Sequence, residues 1–312
     1  MPKVLQVIDG FNDYLNRRER DQMLQMAERW RQQEKILMLY IQRLSDAIEA
    51  RRLAGQAVGV TAITHLQAYK DLLVQVTNEA RRFEQFAANM IAGEQATYYE
   101  VGIAAAQTAI TQSVGAGVAF NRINPAAVQN MVGLTADGSP LFDVLKKRAL
   151  TPDMVAGLTD KLVEGIALGY NPRKTAEMMA DGLAQGLSKA LTIARTEQIR
   201  AYREATLMQY RESGVVKQYQ RHASHGERTC LECLALDGKI QDVDELIESH
   251  PNCRCFITPA IPGVANPSRE SGSDWLAKQD EALQREVLGS HYDLYKSGIP
   301  IDEMIKVTND PV

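Results

Sequence analysis

"HGERTCLECLALDGKIQDVDELIESHPNCRC", residues His225–Cys255, holds all four cysteines of a 312-residue chain. Cys230 and Cys233 form a C-x2-C pair; after sixteen intervening residues, His250, Cys253 and Cys255 form H-x2-C-x-C. Zinc asks for four nitrogen or sulfur ligands in a tetrahedron. The first pair supplies two sulfurs from one turn. His-Pro-Asn-Cys supplies a second turn of equal size, with Pro251 preset for position i+1 and Asn252 tolerant of i+2. Between them "LALDGKIQ" carries an Asp237–Gly238 hairpin signal, so the expectation is two knuckles flanking a β-hairpin, the outline of a small zinc ribbon. The predicted ligands of a structural zinc are mainly Cys230, Cys233, His250 and Cys253, with Cys255 the contender for a place in the set.

Other readings compete. A merely thiol-rich turn needs no metal, and a disulfide or redox pair is possible chemistry for any C-x2-C. No βαβ pattern follows the pair, which weakens the redox reading. The His225-x-Glu227 and C-x2-C alphabet also occurs in zinc deaminases, where the two motifs converge from separate elements. Here two residues separate Glu227 from Cys230 and Thr229 stands in place of the expected proline. One turn cannot present both halves around an open metal. A metal-finger nuclease needs a general-base histidine beside a second ligand set; His222, His225 and His250 are present, but no second set stands out. The aliphatics of 225–258, chiefly Leu231, Leu234, Leu236, Ile240, Leu246, Ile247, Phe256 and Ile257, are too few to fold a mini-domain without a staple.

The remainder is helical in texture: 45% hydrophobic, 6% aromatic, 24% charged, with a net charge of -4. Such a balance argues against a globally basic nucleic-acid binder while leaving a local patch open. The N-terminus carries charges throughout and no apolar core of a signal peptide, so the expected setting is a reducing cytosol. Val101–Asn121 is uncharged, but it is rich in Ala and Gly and interrupted by Gln107, Thr108, Thr111, Gln112 and Ser113. A helix packed between others is expected there, and no membrane partner.

Helical stripes organise the first half. Met23, Met26, Trp30, Leu37, Tyr40, Ile41, Leu44 and Ile48 mark one helix over Arg17–Leu53. Ile63, Leu66, Tyr69, Leu72, Leu73, Val76, Phe83, Phe86 and Met90 mark a second, ended by Gly93 and antiparallel to the first. Shorter helices should follow, opened by Asn124, Ser139, Thr151 and Asn171, each before a proline. Gly133 and Gly169 sit at expected C-caps. A longer helix should run from Ser188 to Gly214. Strands are expected in "VVKQYQRHA" and in "CRCFITPAI", the latter closed by Pro259, then a polar linker and helix from about Asp274.

Ala194-Arg195-Thr196-Glu197 on a helix, Arg228-Thr229-Cys230-x-x-Cys233, Leu236-Asp237-Gly238, and His250-Pro-Asn-Cys-Arg-Cys255, in that order, resemble the Mu F-like minor head proteins of tailed phages, also called head-morphogenesis proteins. The resemblance runs from about Asn171 to Pro259, and the C-terminal tail is similar to an extension many members carry. Gly226 stands where members often have an acid. The resemblance implies a structural virion component without catalytic activity, sited in the head near the portal vertex after assembly in the host cytoplasm. It would assist head assembly, DNA packaging or genome delivery. Its implied partner is the portal protein, with scaffold or major capsid protein and DNA as further contacts. The alternative function is the metal-finger nuclease acting on DNA.

The expected fold is mostly α (α+β). Residues 1–120 should form an extended helical hairpin or bundle, and 121–262 a compact helical core with a β-hairpin finger at 225–258. Residues 263–312 should form a linker and helical tail. Arg195 or Glu197 is expected to anchor the finger to the long helix, with Arg228 as its neighbour in the motif.

Overall fold

The computed structural model describes residues 3–115, 120, 131–148, 151–167, 170–227, 229–245, 247, 250–267 and 269–308. Three long helices dominate: α1 (Lys3–Leu53), α3 (Gln67–Val114) and α6 (Pro172–Glu212), with the one-turn α2 (Val60–Thr64) between the first two. Shorter α4 (Leu141–Arg148) and α5 (Thr151–Ala167) precede α6. Helix and a small three-stranded antiparallel sheet make the chain mostly α with an α+β portion.

The predicted antiparallel pairing is present. Arg18 reaches Glu94 (Nη2–Oε1 2.6 Å), and the Trp30 and Phe83 rings meet edge-on at 4.9 Å. Nearer the N-terminus, the Tyr98 hydroxyl donates to the Leu15 carbonyl at 2.9 Å. Both helices outrun their predicted ends. α1 begins at Lys3, because Val4, Leu5, Ile8 and Leu15 extend the buried stripe upstream of Arg17. Gly93 does not stop α3. A glycine in a helix interior costs only about 1 kcal/mol, and buried Ile91, Gln95 and Tyr98 on either side hold the turn in place. The Ala-rich stretch to Val114 is therefore the end of α3.

The chain divides into two compact units, Arg17–Glu94 with Asn130–Glu197, and Met1–Asn16 with Gln95–Gln129 and Gln198–Val312. In the former, Met26, Trp30, Leu37, Ile41 and Leu44 of α1 share a core with Leu72, Val76 and Phe83 of α3. Leu145, Leu158, Leu162, Met179 and Ala194 from the shorter helices and α6 join them. Asn171 caps α6 as predicted, its Oδ1 accepting from Lys174 N at 2.9 Å. Gly133 has the expected positive φ, 82°; Asn124 and Gly169 lie outside the described residues. The two helices expected across 171–214 are one, because core residues Met179, Ala190 and Ala194 continue the buried face across the expected boundary before Ser188.

In the other unit, α3 and α6 come so close that a Cβ on Gly102 would stand 2.4 Å from the Tyr202 carbonyl oxygen. The sheet order is β2-β1-β3, with β1 Gln218–His222, β2 Ile240–Asp242 and β3 Phe256–Ala260. Pro259 lies within β3 rather than closing it. β3 is an edge strand, where a missing N–H is tolerated.

The predicted two-residue β-hairpin is not there. Leu231–Ala235 folds as a helical turn, α7, capped by Cys230, and Leu236–Gly238 then returns the chain to β1. Gly238, at φ 79°, donates its N–H to the Arg221 carbonyl at 2.8 Å. β1 and β2 do pair antiparallel, but the cysteine turn is inserted between them.

The tail forms α8 (Gly272–Ala277), α9 (Glu281–Leu288), α10 (Tyr292–Lys296) and α11 (Ile301–Thr308). Leu276, Leu288, Tyr292, Ile301 and Met304 pack with Ala223, Cys233, Leu234, Cys253 and Cys255. The finger thus takes its missing apolar material from the tail. Among the described residues, no helix is long and apolar enough to cross a membrane.

Candidate metal centre

Cys230 sits in extended conformation (φ -76°, ψ 160°) and accepts from the N–H of Cys233, which opens α7 and carries the second sulfur one turn on. The His250–Cys253 turn closes as the sequence predicts. Cys253 N donates to the His250 carbonyl at 3.2 Å, and Asn252 takes φ 62°, a conformation asparagine tolerates better than most residues. Cys255 precedes β3 directly.

The five predicted side chains converge. His250 Nε2 lies 3.1 Å from Cys230 Sγ and 3.0 Å from Cys233 Sγ, while Cys233 Sγ lies 3.6 Å from Cys253 Sγ. Cys230, Cys233 and His250 form one group, and Cys233, Cys253 and Cys255 another; within each, the ligand atoms lie within 4.8 Å of one another. Zinc–sulfur bonds of about 2.3 Å imply tetrahedral sulfur–sulfur edges of about 3.8 Å, close to the Cys233–Cys253 spacing. None of the four cysteines is in a disulfide. The two groups can hold a metal ion. Among the described residues, no further cluster of three or more such side chains occurs.

Hydrogen bonding orders the protons. The His250 ring places Nδ1 2.9 Å from its neighbour's carbonyl, Pro251 O, which leaves Nε2 toward the sulfurs. Bonds to Cys230 and Cys253 raise its pKa to about 10. The bond from Cys233 lowers Cys230 to about 4, and bonds from Cys233 and Cys255 lower Cys253. Cys233 is correspondingly raised by its bonds to Cys230 and Cys253. An ion entering the cluster would replace shared protons.

Two residues of this site escaped the sequence reading. Arg203 of α6 donates from Nη2 to Cys253 Sγ at 3.0 Å, and from Nε and Nη2 to the Cys255 carbonyl at 2.9 and 2.7 Å. Arg221 of β1 places Nη2 3.9 Å from Cys233 Sγ. Burial works against the Arg221 charge, yet Cys255, Cys233 and Cys253 raise its pKa. Nothing in spacing distinguishes Arg203 from the other arginines of α6. Arg195, one of two predicted anchors, instead bonds Glu19 at 2.6 Å and Met23 Sδ at 3.2 Å; Glu197 is buried. Arg228 lies outside the described residues.

The two other histidines singled out in the sequence have other partners. His222 Nε2 is 2.8 Å from Thr258 Oγ1, its ring stacked on Phe256, and burial lowers its pKa to about 4. His225, at φ 48°, bonds Asp237 Oδ2 at 2.6 Å and stacks on Trp275.

These features define a helical protein with a cysteine–histidine finger built on a three-stranded sheet. Residues 156–258 match the family described as Phage Mu protein F like protein, which is the family that the motifs resemble. No curated protein and no solved structure matches the chain.

Proposed function

We propose that this protein is a structural minor head component of a tailed phage or prophage. It binds the portal vertex and assists head assembly, DNA packaging or genome delivery, and its finger is held by one structural zinc. The observation that supports this reading is the extent of the family match. It covers α6, β1, β2, the first residues of β3 and all five cysteine and histidine donors. Zinc suits a sulfur-rich, half-buried set better than hard cations do. Cys230, Cys233, His250 and Cys253 are its main ligands in this reading and Cys255 the contender. Four protein ligands leave no position for an activated water, so the site contributes stability and performs no chemistry. Residues 1–120 serve as the partner-binding part, 121–262 as the core and 263–312 as its tail.

A mass-spectrometric inventory of purified virions tests the placement, with copurification of portal and this protein from co-expressing cells beside it. Presence in few copies per particle and co-elution with portal support it. Absence from virions overturns it. Metal-dependent plasmid nicking that is lost in His250→Ala would point to the nuclease instead.

A further inference from the structure

Two guanidinium groups are buried with the metal-binding sulfurs. Arg203 is 2% exposed and Arg221 1%. Taking a cation out of water is costly unless opposite charge and hydrogen-bond acceptors meet it. Here sulfur and carbonyl groups of the finger meet them. Arg203 reaches across from α6 to Cys253 Sγ and the Cys255 carbonyl, and Arg221 reaches from the central strand toward Cys233 Sγ. The two cations thus come from different elements and address sulfurs of different knuckles.

Charge explains the pairing. A divalent ion with three thiolates and a neutral imidazole carries one net negative charge, and in a low-dielectric setting an adjacent cation stabilises it strongly. A guanidinium cannot be deprotonated and donates N–H groups only. It therefore neutralises the complex without competing for the ion.

We propose that Arg203, supported by Arg221, is the charge-balancing partner of a thiolate-bound divalent metal in the finger. It holds Cys253 toward the ion and couples metal loading to docking of the finger on α6. This rests on the zinc reading above and names residues which that reading lacks. Both arginines are positioning residues, outside the ligand set.

The test uses the full chain, stripped of metal under reducing conditions and reloaded. Zinc affinity is measured by competition with a chromophoric chelator, and thiolate ligation by the sulfur-to-metal charge-transfer absorption of the cobalt form. Arg203→Met should weaken zinc binding by about 10- to 100-fold, the usual effect of losing an outer partner of a metal ligand. It should also reduce the cobalt charge-transfer intensity as Cys253 is released. Arg203→Lys, which keeps the charge, should recover most of both. Unchanged affinity and spectrum in Arg203→Met overturn the proposal, as does a folded Arg203→Lys no better than Arg203→Met. If Arg203→Met does not fold, Arg221→Met is read in the same assay, and wild-type affinity there overturns it. A wild-type chain that binds neither ion overturns the zinc reading itself, an outcome distinct from failure of the arginines alone.

Discussion

Gly272, the first residue of α8, lies against the backbone of Leu234 in the cysteine turn. A Cβ built on it would stand 2.5 Å from the Leu234 carbonyl oxygen and 2.9 Å from its Cα. The neighbours are backbone atoms, so they cannot swing aside as a side chain would. This contact sets the tail down on the finger and lets Leu276 and Met304 fill the core behind Cys233. Gly272→Ala should destabilise the protein by about 1–3 kcal/mol, as overpacking usually does. Limited proteolysis should then cut within 225–258 sooner than in wild type. An unchanged denaturation midpoint and cleavage pattern would show that the tail is not needed to hold the finger.

Removing one knuckle should unload the finger. Elemental analysis of protein purified without chelator should find one zinc per chain. Cys230→Ser should lose that zinc together with protease resistance of the finger. Structural zinc sites carry apparent binding free energies on the order of 10–16 kcal/mol in finger peptides at neutral pH, so the loss should be large. Metal-free wild-type protein with an equally resistant finger would falsify the staple.

His222 should make stability depend on pH in a defined direction. Burial lowers its pKa to about 4, Asp237 opposes the shift, and Arg269 and His225 reinforce it. The unfolded chain, near 6.5, binds more protons than the folded chain between these values. The contribution is therefore fully present above about pH 6.5 and is lost as the pH falls toward 4. The loss amounts to about 2 kcal/mol by pH 5 and about 3 kcal/mol at most. Urea titrations at pH 7 and pH 5 on wild type and His222→Gln separate this histidine from other acid-sensitive groups. Equal pH dependence in both proteins would remove His222 as the cause.

The long hairpin rests on its aromatic contact. Phe83 is fully buried and meets Trp30 edge-on. Phe83→Ala should cost about 3–5 kcal/mol, the usual range for an aromatic deleted from a core. Because Leu158, Leu162 and Met179 share that core, the loss should be seen throughout Arg17–Glu94 and Asn130–Glu197 by hydrogen exchange. Protection lost only around Phe83 would show the core to be less cooperative than its packing implies.

Period and motif alone determined much of this protein. Stripes such as Met26, Trp30, Leu37 and Ile41 repeat with the helical period whatever they pack against, so helix type was legible. The Pro251–Asn252 turn was equally legible, because its backbone angles follow from local residue chemistry. So were the five side chains now gathered at Cys233, since two knuckles of equal size need little else to converge. Local signals failed where packing outweighed them. Gly93 read as a break, but buried neighbours kept the helix continuous. Asp237–Gly238 read as a hairpin, yet the capping sulfur of Cys230 turned the preceding strand into a helical turn. Arg203 and the Gly272–Leu234 contact were beyond any local reading. An arginine looks the same in sequence whether it faces water or a buried sulfur. Only the folded chain, bringing α6 and the tail against the finger, decides which of the two its charge meets.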